Sequence, residues 1–370
     1  MDADTVIIGA GVIGLAIASE LASGETLILE RNDRWGEETS SRNSGVLHAG
    51  IYYEPGSLKA RFCVEGNYRI YELARQHGID HIRTEKLVVA NDADDIAELT
   101  RLLQQGTDNG VERLQLIEEP EISRLEPDVS ARYALHVPST GVIDQIQLMR
   151  YFLSIAQRRG AQLVCHTRVV DLKPAGEGWQ VSCESAGEPF AVTARLVINC
   201  SGLHADATAR LAGIDTDAAG YRQYYSKGEY ASVLNHPPRR VNRLVYPLPD
   251  RARNSLGIHY GFDTRGSMFL GPNAHYVEQI DYSVDESHMM EFEEAGWYFP
   301  WIQKEDLAPR DAGVRPKLSG PGQKPRDFVI RHEADRGLSG LINLVGIDSP
   351  GLTSSPAIAK YVAEMAREIL

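Results

Sequence analysis

Residues 4–14, "DTVIIGAGVIG", restrict the fold of this 370-residue chain more than any other stretch does. The apolar, β-branched run "TVIIG" reads as a buried strand, and "GVIGLAIASELAS" has helical spacing with Gly24 as its stop. "TLILE" follows as a second strand ending at Glu30. Strand, helix and strand in this order make a βαβ unit, whose crossover implies a parallel pair. Gly9, Gly11 and Gly14 form G-x-G-x-x-G between the first strand and the helix. In a dinucleotide site the first glycine permits the tight turn and the second admits a pyrophosphate to the backbone. The third lets helix pack on strand. Free N–H groups at the helix start face the phosphates, and Glu30 stands where a ribose hydroxyl needs an acceptor.

The rest of the chain extends this unit into two domains. Helices are predicted at 57–77, 93–105 and 145–159, and again from about Thr353 onward. "AQLVCHTRVVDL", "WQVSC" and "FAVTARLVINCSG" read as a meander that returns to the parallel sheet, and 221–272 is again strand-rich. The expected class is α/β: a Rossmann-type dinucleotide-binding domain with an inserted antiparallel β-sheet substrate domain (α+β). The first is expected from 1–85, 140–215 and 325–370, the second from 86–139 and 216–324. Asp144 reads as a helix N-cap. Ile358, Tyr361, Val362, Met365 and Ile369 read as a core-facing stripe.

Charge and cysteine content narrow the ligands. The formal net charge is −13, from 38 basic and 51 acidic side chains, which argues against a nucleic-acid partner. An anionic substrate then needs a local arginine or lysine to overcome an unfavourable field. Cys63, Cys165, Cys183 and Cys200 lack framework or metal-ligand spacing and read as free thiols, and no metal is expected. No apolar run reaches the length of a membrane span, and no basic segment precedes an apolar one at the N-terminus, so a cytoplasmic location is expected.

Three features favour FAD over NAD. The chain has no second G-x-G-x-x-G, hence no separate nicotinamide domain. "LVINCSG" puts Gly202 at a strand end, where a chain returning beneath the dinucleotide passes. "GIDSPGLTSSPAIAKYV" sets Gly351, Leu352 and Thr353 before a helix, a second anion-facing N-terminus far along the chain. A non-covalent FAD gripped by both ends of the chain satisfies all three. The loop "TSSRNSG" (Ser40, Ser41, Arg42, Asn43, Ser44, Gly45) is expected along its pyrophosphate and ring, with "HAGIYY" emerging at the reacting face.

At these residues the chain resembles the D-amino-acid-oxidase-like flavoproteins, and within them the L-2-hydroxyglutarate dehydrogenase/oxidase group. The resemblance rests on "NSGVLHAGIYYEPGSLKARFCVEGN", "TGVIDQIQLMRYF", "KGEY", "LVYPLPD", "LGIHYGF", "LGPNA" and "AGVRP". It spans nearly the whole chain. Two positions depart from that group: Arg42 precedes Asn43 where the group has His, and Lys227 replaces an Arg. The resemblance implies an FAD enzyme that removes a hydride from the carbon of a small anionic 2-hydroxy acid. Electrons then pass to oxygen or to a membrane quinone pool, which leaves room for peripheral membrane contact. It also implies cofactor contacts from Arg31, Val169 and Gly346.

Such chemistry needs a base for the hydroxyl proton, and histidine suits that task near neutral pH. His48 in the flavin loop and His259 in "LGIHYGF" are the two candidates. A carboxylate prefers the planar fork of arginine. The resemblance places that clamp near Arg315 of "AGVRP". Lys59, Lys227, Tyr53 and Tyr260 are further candidate substrate contacts. A 2-amino acid, oxidised at a carbon bearing an amine, is the competing substrate class, since it needs the same clamp and the same flavin.

Overall fold

In the computed structural model, which describes residues 1–21, 25–237, 240–249 and 257–370, the glycine-rich turn leads out of the middle of a parallel sheet. Strand Ala3–Ile8 pairs with Thr26–Leu29 on one side and with the end of the long strand Glu188–Asn199 on the other. Gln162–Val164 and Leu341–Val345 extend the parallel sheet outward, and Val329–His332 closes one edge in the antiparallel sense. Parallel strands covered on both faces read as continuous apolar runs, which is why "TVII" and "LINLV" carry so little polar character.

Alternation along these strands sends Ile7, Ile28, Ile198 and Ile342 to one face and Val6, Ile8, Leu29 and Val197 to the other. The first set packs under the helices Val12–Leu21, Leu58–His77, Gln145–Arg158 and Gly351–Arg367. The second set packs against Trp179 and the short helix Ala205–Leu211. The expected meander is present: Thr167–Ala175, Gly178–Ser185 and the first half of Glu188–Asn199 are antiparallel neighbours.

A second, nine-stranded sheet takes its strands from the stretches 86–137 and 224–317. It is antiparallel apart from one parallel pair, Lys86–Ala90 beside Leu244–Pro247. Val46–Leu47, Gly141–Ile143 and His81–Ile82 form a small third sheet that links the flavin loop to the chain near Asp144.

Helix ends follow local chemistry. Ser57 caps Leu58–His77 by accepting from the Ala60 N–H at 3.1 Å, and Gly78 ends it at φ +66. Asp144 caps Gln145–Arg158, accepting from the N–H groups of Ile146 and Gln147. Two expectations shift. The helix expected at 93–105 is a 3₁₀ turn at Ala93–Asp95 and then Ile96–Asp108. The last helix begins at Gly351, two residues before Thr353. The helical segment Glu286–Trp297 gave no helical signal in the sequence. Gly24 lies outside the described residues. The four cysteines are free, and no helix among the described residues is long and apolar enough to cross a membrane.

One close approach sets the geometry of the site. A Cβ added at Gly66 would stand 2.1 Å from the backbone oxygen of Thr353, so only glycine lets Leu58–His77 touch the start of the last helix. Gly66→Ala is expected to destabilise the protein by roughly 1–3 kcal/mol, as overpacking does. Gly296→Ala, where a Cβ meets nothing within 4 Å, should stay within about 0.5 kcal/mol of the parent in urea unfolding.

Candidate active site

A single large cavity of about 1470 Å³ runs from the glycine-rich turn to the second sheet. Gly9 sits at φ +101, and a Cβ there would come within 2.6 Å of the Cys200 oxygen; one on Gly14 would come within 2.0 Å of the Gly9 oxygen. The turn therefore tolerates no side chain where helix and strand meet. Glu30 follows its strand, buried, with its carboxylate accepting from the N–H groups of Ala10 at 2.8 Å and Asn32 at 2.9 Å. Burial raises its pKa, and these two hydrogen bonds work against that rise. Ser40 Oγ accepts from the Val12 N–H at 2.9 Å, tying the 39–45 loop to the helix start. Asn43 holds the loop's shape by donating to the Thr39 and Ser40 oxygens and accepting from the Gly45 N–H.

At the other end the first and last parts of the chain meet. The His48 N–H donates to Thr353 Oγ1 at 3.0 Å, and its ring Nε2 lies 3.3 Å from Ser349 Oγ. The His48 carbonyl accepts from Asn67 of the long helix. His259 enters from the second sheet, its ring stacked on Tyr246 with centroids 3.8 Å apart. Its Nδ1 lies 3.2 Å from the Gly257 carbonyl, which can only accept, so Nδ1 carries the hydrogen and Nε2 the lone pair. That Nε2, His48 Nδ1 and Tyr246 Oη are buried without hydrogen-bond partners among the described residues.

Both imidazoles are held neutral. Burial lowers the His48 pKa well below its usual value, and the charges of Lys86, His259 and Arg315 lower it further. Burial likewise pushes His259 down to about 3; its contact with the Gly257 carbonyl opposes this, while Arg315 and Lys86 add to it. Arg315 lines the cavity from strand Leu307–Lys317 and forms no ion pair among the described residues. This end is aromatic and positive, and both imidazoles are neutral.

The cavity collects Gly9, Gly11, Glu30, Arg31, Ser40, Arg42, Asn43, Ser44, Val169, Gly202, Gly351, Leu352 and Thr353 of the expected cofactor residues. It also collects His48, Tyr53, Lys59, His259 and Arg315. Gly14, Ser41, Gly45 and Gly346 do not line it. Gly14 packs on Gly9, while Gly45 and Gly346 turn the chain at φ +65 and +70 behind the wall.

Two substrate candidates fall away. Lys227 points to the opposite face of its strand, 2.6 Å from Asp281 and 3.5 Å from Glu229. Tyr260 is buried in the core of the second sheet with its hydroxyl 3.3 Å from the Val241 carbonyl. Lys59 reaches the cavity but is paired with Asp348 at 2.8 Å. Glu229, His275 and His288 gather on the far face of the second sheet at a spacing a metal could use. The Lys227 ammonium already neutralises that carboxylate, so the group is an ion-pair cluster.

Sequence reasoning missed Tyr230 and Tyr246 in the cavity wall and the fully buried Lys86 behind it. The one available signal was a lysine heading the apolar run "LVVA", where a charge has no evident use.

The comparisons with known proteins agree with this geometry. The family model described as FAD dependent oxidoreductase matches residues 4–365, and the chain belongs to that family. L-2-hydroxyglutarate dehydrogenase of Arabidopsis thaliana mitochondria is 36% identical over 97% of this chain and 82% of its own length. The Escherichia coli protein of that name is 29% identical over 99% of this chain and 94% of its own. Among solved structures, L-alpha-glycerophosphate oxidase from Mycoplasma pneumoniae with FAD bound superposes with a TM-score of 0.87. It is 25% identical over 99% of this chain and 94% of its own. Glycine oxidase from Geobacillus kaustophilus shares the fold, with a TM-score of 0.79 at 22% identity over 99% and 95% of the two chains.

The cofactor is FAD, and the cavity fits it: a glycine turn that no side chain could enter, a buried carboxylate after the second strand, and one continuous space. Replacing Glu30 by alanine removes a charged acceptor, a loss of roughly 1.5–3 kcal/mol. FAD affinity should then fall on the order of ten- to a hundred-fold in titrations of the apo-protein. Unchanged affinity would make Glu30 a purely structural brace.

Proposed function

We propose that the protein dehydrogenates a small 2-hydroxy acid, with L-2-hydroxyglutarate as the leading substrate, to the 2-oxo acid. The observation that carries this reading is the pairing at one end of the cavity. A proton-free imidazole nitrogen on His259, unpartnered among the described residues, stands in the field of Arg315, which no carboxylate among those residues neutralises. Arg315 suits the substrate carboxylate through two parallel hydrogen bonds. The α-hydroxyl then faces His259 Nε2, which takes its proton as the carbon–oxygen double bond forms. Bound in the same cavity, FAD supplies the acceptor for the α-hydrogen and its electron pair. His48 ties the flavin loop to the last helix through its N–H and to the helix Leu58–His77 through its carbonyl, and its ring completes the wall. The names of the relatives support this substrate class. An amino acid is the weaker reading. Its ammonium group would stand against Arg315 and Lys86, whose charges both imidazoles already feel.

Anaerobic mixing with L- and D-2-hydroxy acids and with amino acids tests the reading through flavin bleaching. L-2-hydroxyglutarate should bleach the flavin fastest, and bleaching by amino acids alone would overturn it. Arg315→Ala should weaken substrate affinity more than Arg315→Lys, which keeps the charge but loses the fork. His259→Ala should slow reduction at saturating substrate by roughly 10²- to 10⁴-fold. The pH dependence has a definite sign. Because the His259 pKa is lowered, its accepting form persists as pH falls. Reduction at saturating substrate should therefore show no inflection near histidine's usual value of about 6.5.

A further inference from the structure

Lys86 is the most anomalous charged residue in the protein. It opens strand Lys86–Ala90 and is fully buried, yet among the described residues no carboxylate reaches it. Its neighbour Glu85 is committed to Arg243 at 2.8 Å and His136 at 2.9 Å. A buried lysine normally survives only when paired, because stripping water from an ammonium is expensive. What Lys86 has instead is aromatic. Its Nζ lies 4.4 Å from the centroid of the Tyr52 ring and 4.7 Å from that of Tyr246. It reaches one hydrogen-bonding atom, the Tyr52 hydroxyl at 3.4 Å. Tyr52 and Tyr246 both line the cavity, and Tyr246 carries His259 stacked upon it. Lys86 thus stands directly behind the substrate end without lining it.

We propose that Lys86 is a positioning residue that acts through Tyr52, fixing the direction in which the phenol hydroxyl donates. An ammonium has three donors and no acceptor, so a protonated Lys86 can only donate to Tyr52 Oη. The phenol proton is then directed into the cavity, where it meets an oxygen of the anionic substrate. A neutral amine offers a lone pair, draws the phenol proton back, and turns a phenol lone pair toward the anion. The two ring faces favour the charged form, and an arriving anion favours it further.

The groups that face Lys86 leave it free to make this change. Cys63 and Tyr52 are pushed up in pKa by burial and stay protonated, and so does Tyr246. His48 and His259 are held neutral. Burial brings Lys86 itself down to about 7, with a small opposing effect from Cys63. Anion binding raises the lysine's pKa. Affinity is therefore full below the free-enzyme value and declines as pH rises toward the value in the complex.

This inference rests on the proposed reading of the cavity as a site for an anionic 2-hydroxy acid. Glutarate, which lacks the hydroxyl and cannot be oxidised, separates binding from turnover. Calorimetric titration of the FAD-loaded enzyme should give a glutarate Kd that is flat below pH 7. Above it the Kd should rise by about tenfold per pH unit, with one proton taken up on binding. Lys86→Met and Tyr52→Phe should each weaken binding by about tenfold at pH 6.5 and flatten that rise. The double variant should be no weaker than either single one, since both remove the same hydrogen bond.

Lys317 also lines the cavity, and burial brings it down to about 8. A slope that comes from Lys317 would survive both substitutions, and that result overturns the inference. So does a double variant whose losses multiply. Should Lys86→Met fail to fold, the parent and Tyr52→Phe decide alone: a pH slope shared by both overturns it. If L-2-hydroxyglutarate bleaches the parent flavin while these results fail, the inference falls and the functional reading stands. A parent that neither binds glutarate nor is bleached overturns both.

Discussion

The site depends on an imbalance of charge held away from water. The chain as a whole carries −13, yet the inner end of its cavity presents Arg315 with no carboxylate beside it among the described residues, backed by a fully buried Lys86. Desolvation makes each of these charges act more strongly than it would at the surface. Their combined field, together with burial, keeps His48 and His259 unprotonated. In the proposed reaction an entering anion neutralises that field and meets His259 Nε2 as the proton acceptor. Recruitment and proton removal are, on that proposal, two consequences of one arrangement, and a cationic substrate would gain from neither.

That arrangement requires parts of the chain far apart in sequence to meet with little tolerance. The His48 N–H donates to Thr353, Gly66 lets the long helix approach the same turn, and Asn67 holds the His48 carbonyl. His259, just ahead of strand Tyr260–Phe262, and Arg315, on strand Leu307–Lys317, arrive from the second sheet. The flavin cavity lies where the parallel and antiparallel sheets come together, and each sheet supplies one half of the chemistry. The first provides the dinucleotide turn and Glu30; the second provides His259 and Arg315, the proposed base and clamp.

Much of this was legible in the sequence wherever the signal is local. The glycine turn after the first strand, the position of Glu30 after the second and the cap at Asp144 each depend on a few neighbouring residues, and these take the expected form. What could not be read depends on which face of a strand a residue occupies. Lys227 and Tyr260 were chosen for their chemistry, but each stands one position from the residue that reaches the cavity. Gly228 and Tyr230 face the cavity where Lys227 and Glu229 face away, and His259 faces it where Tyr260 enters the core. A one-residue step reverses the face, and a short apolar run does not say which face is which. Lys86 was illegible for a related reason. At the head of a strand it looks like an exposed edge residue until the second sheet folds Tyr246 over it.

The account stands or falls on the claim that substrate charge, and not only shape, brings the reacting carbon to His259. Its most direct measurement is anaerobic flavin reduction by L-2-hydroxyglutarate, compared over a full concentration series with the same molecule carrying its α-carboxylate as a primary amide. The hydroxyl, the α-hydrogen and the size are then nearly unchanged, while the charge facing Arg315 is gone. The account predicts that the amide is poorer in apparent affinity by about ten- to a hundred-fold, the value of a charge-assisted hydrogen bond. Equal reduction of the flavin by acid and amide would contradict it.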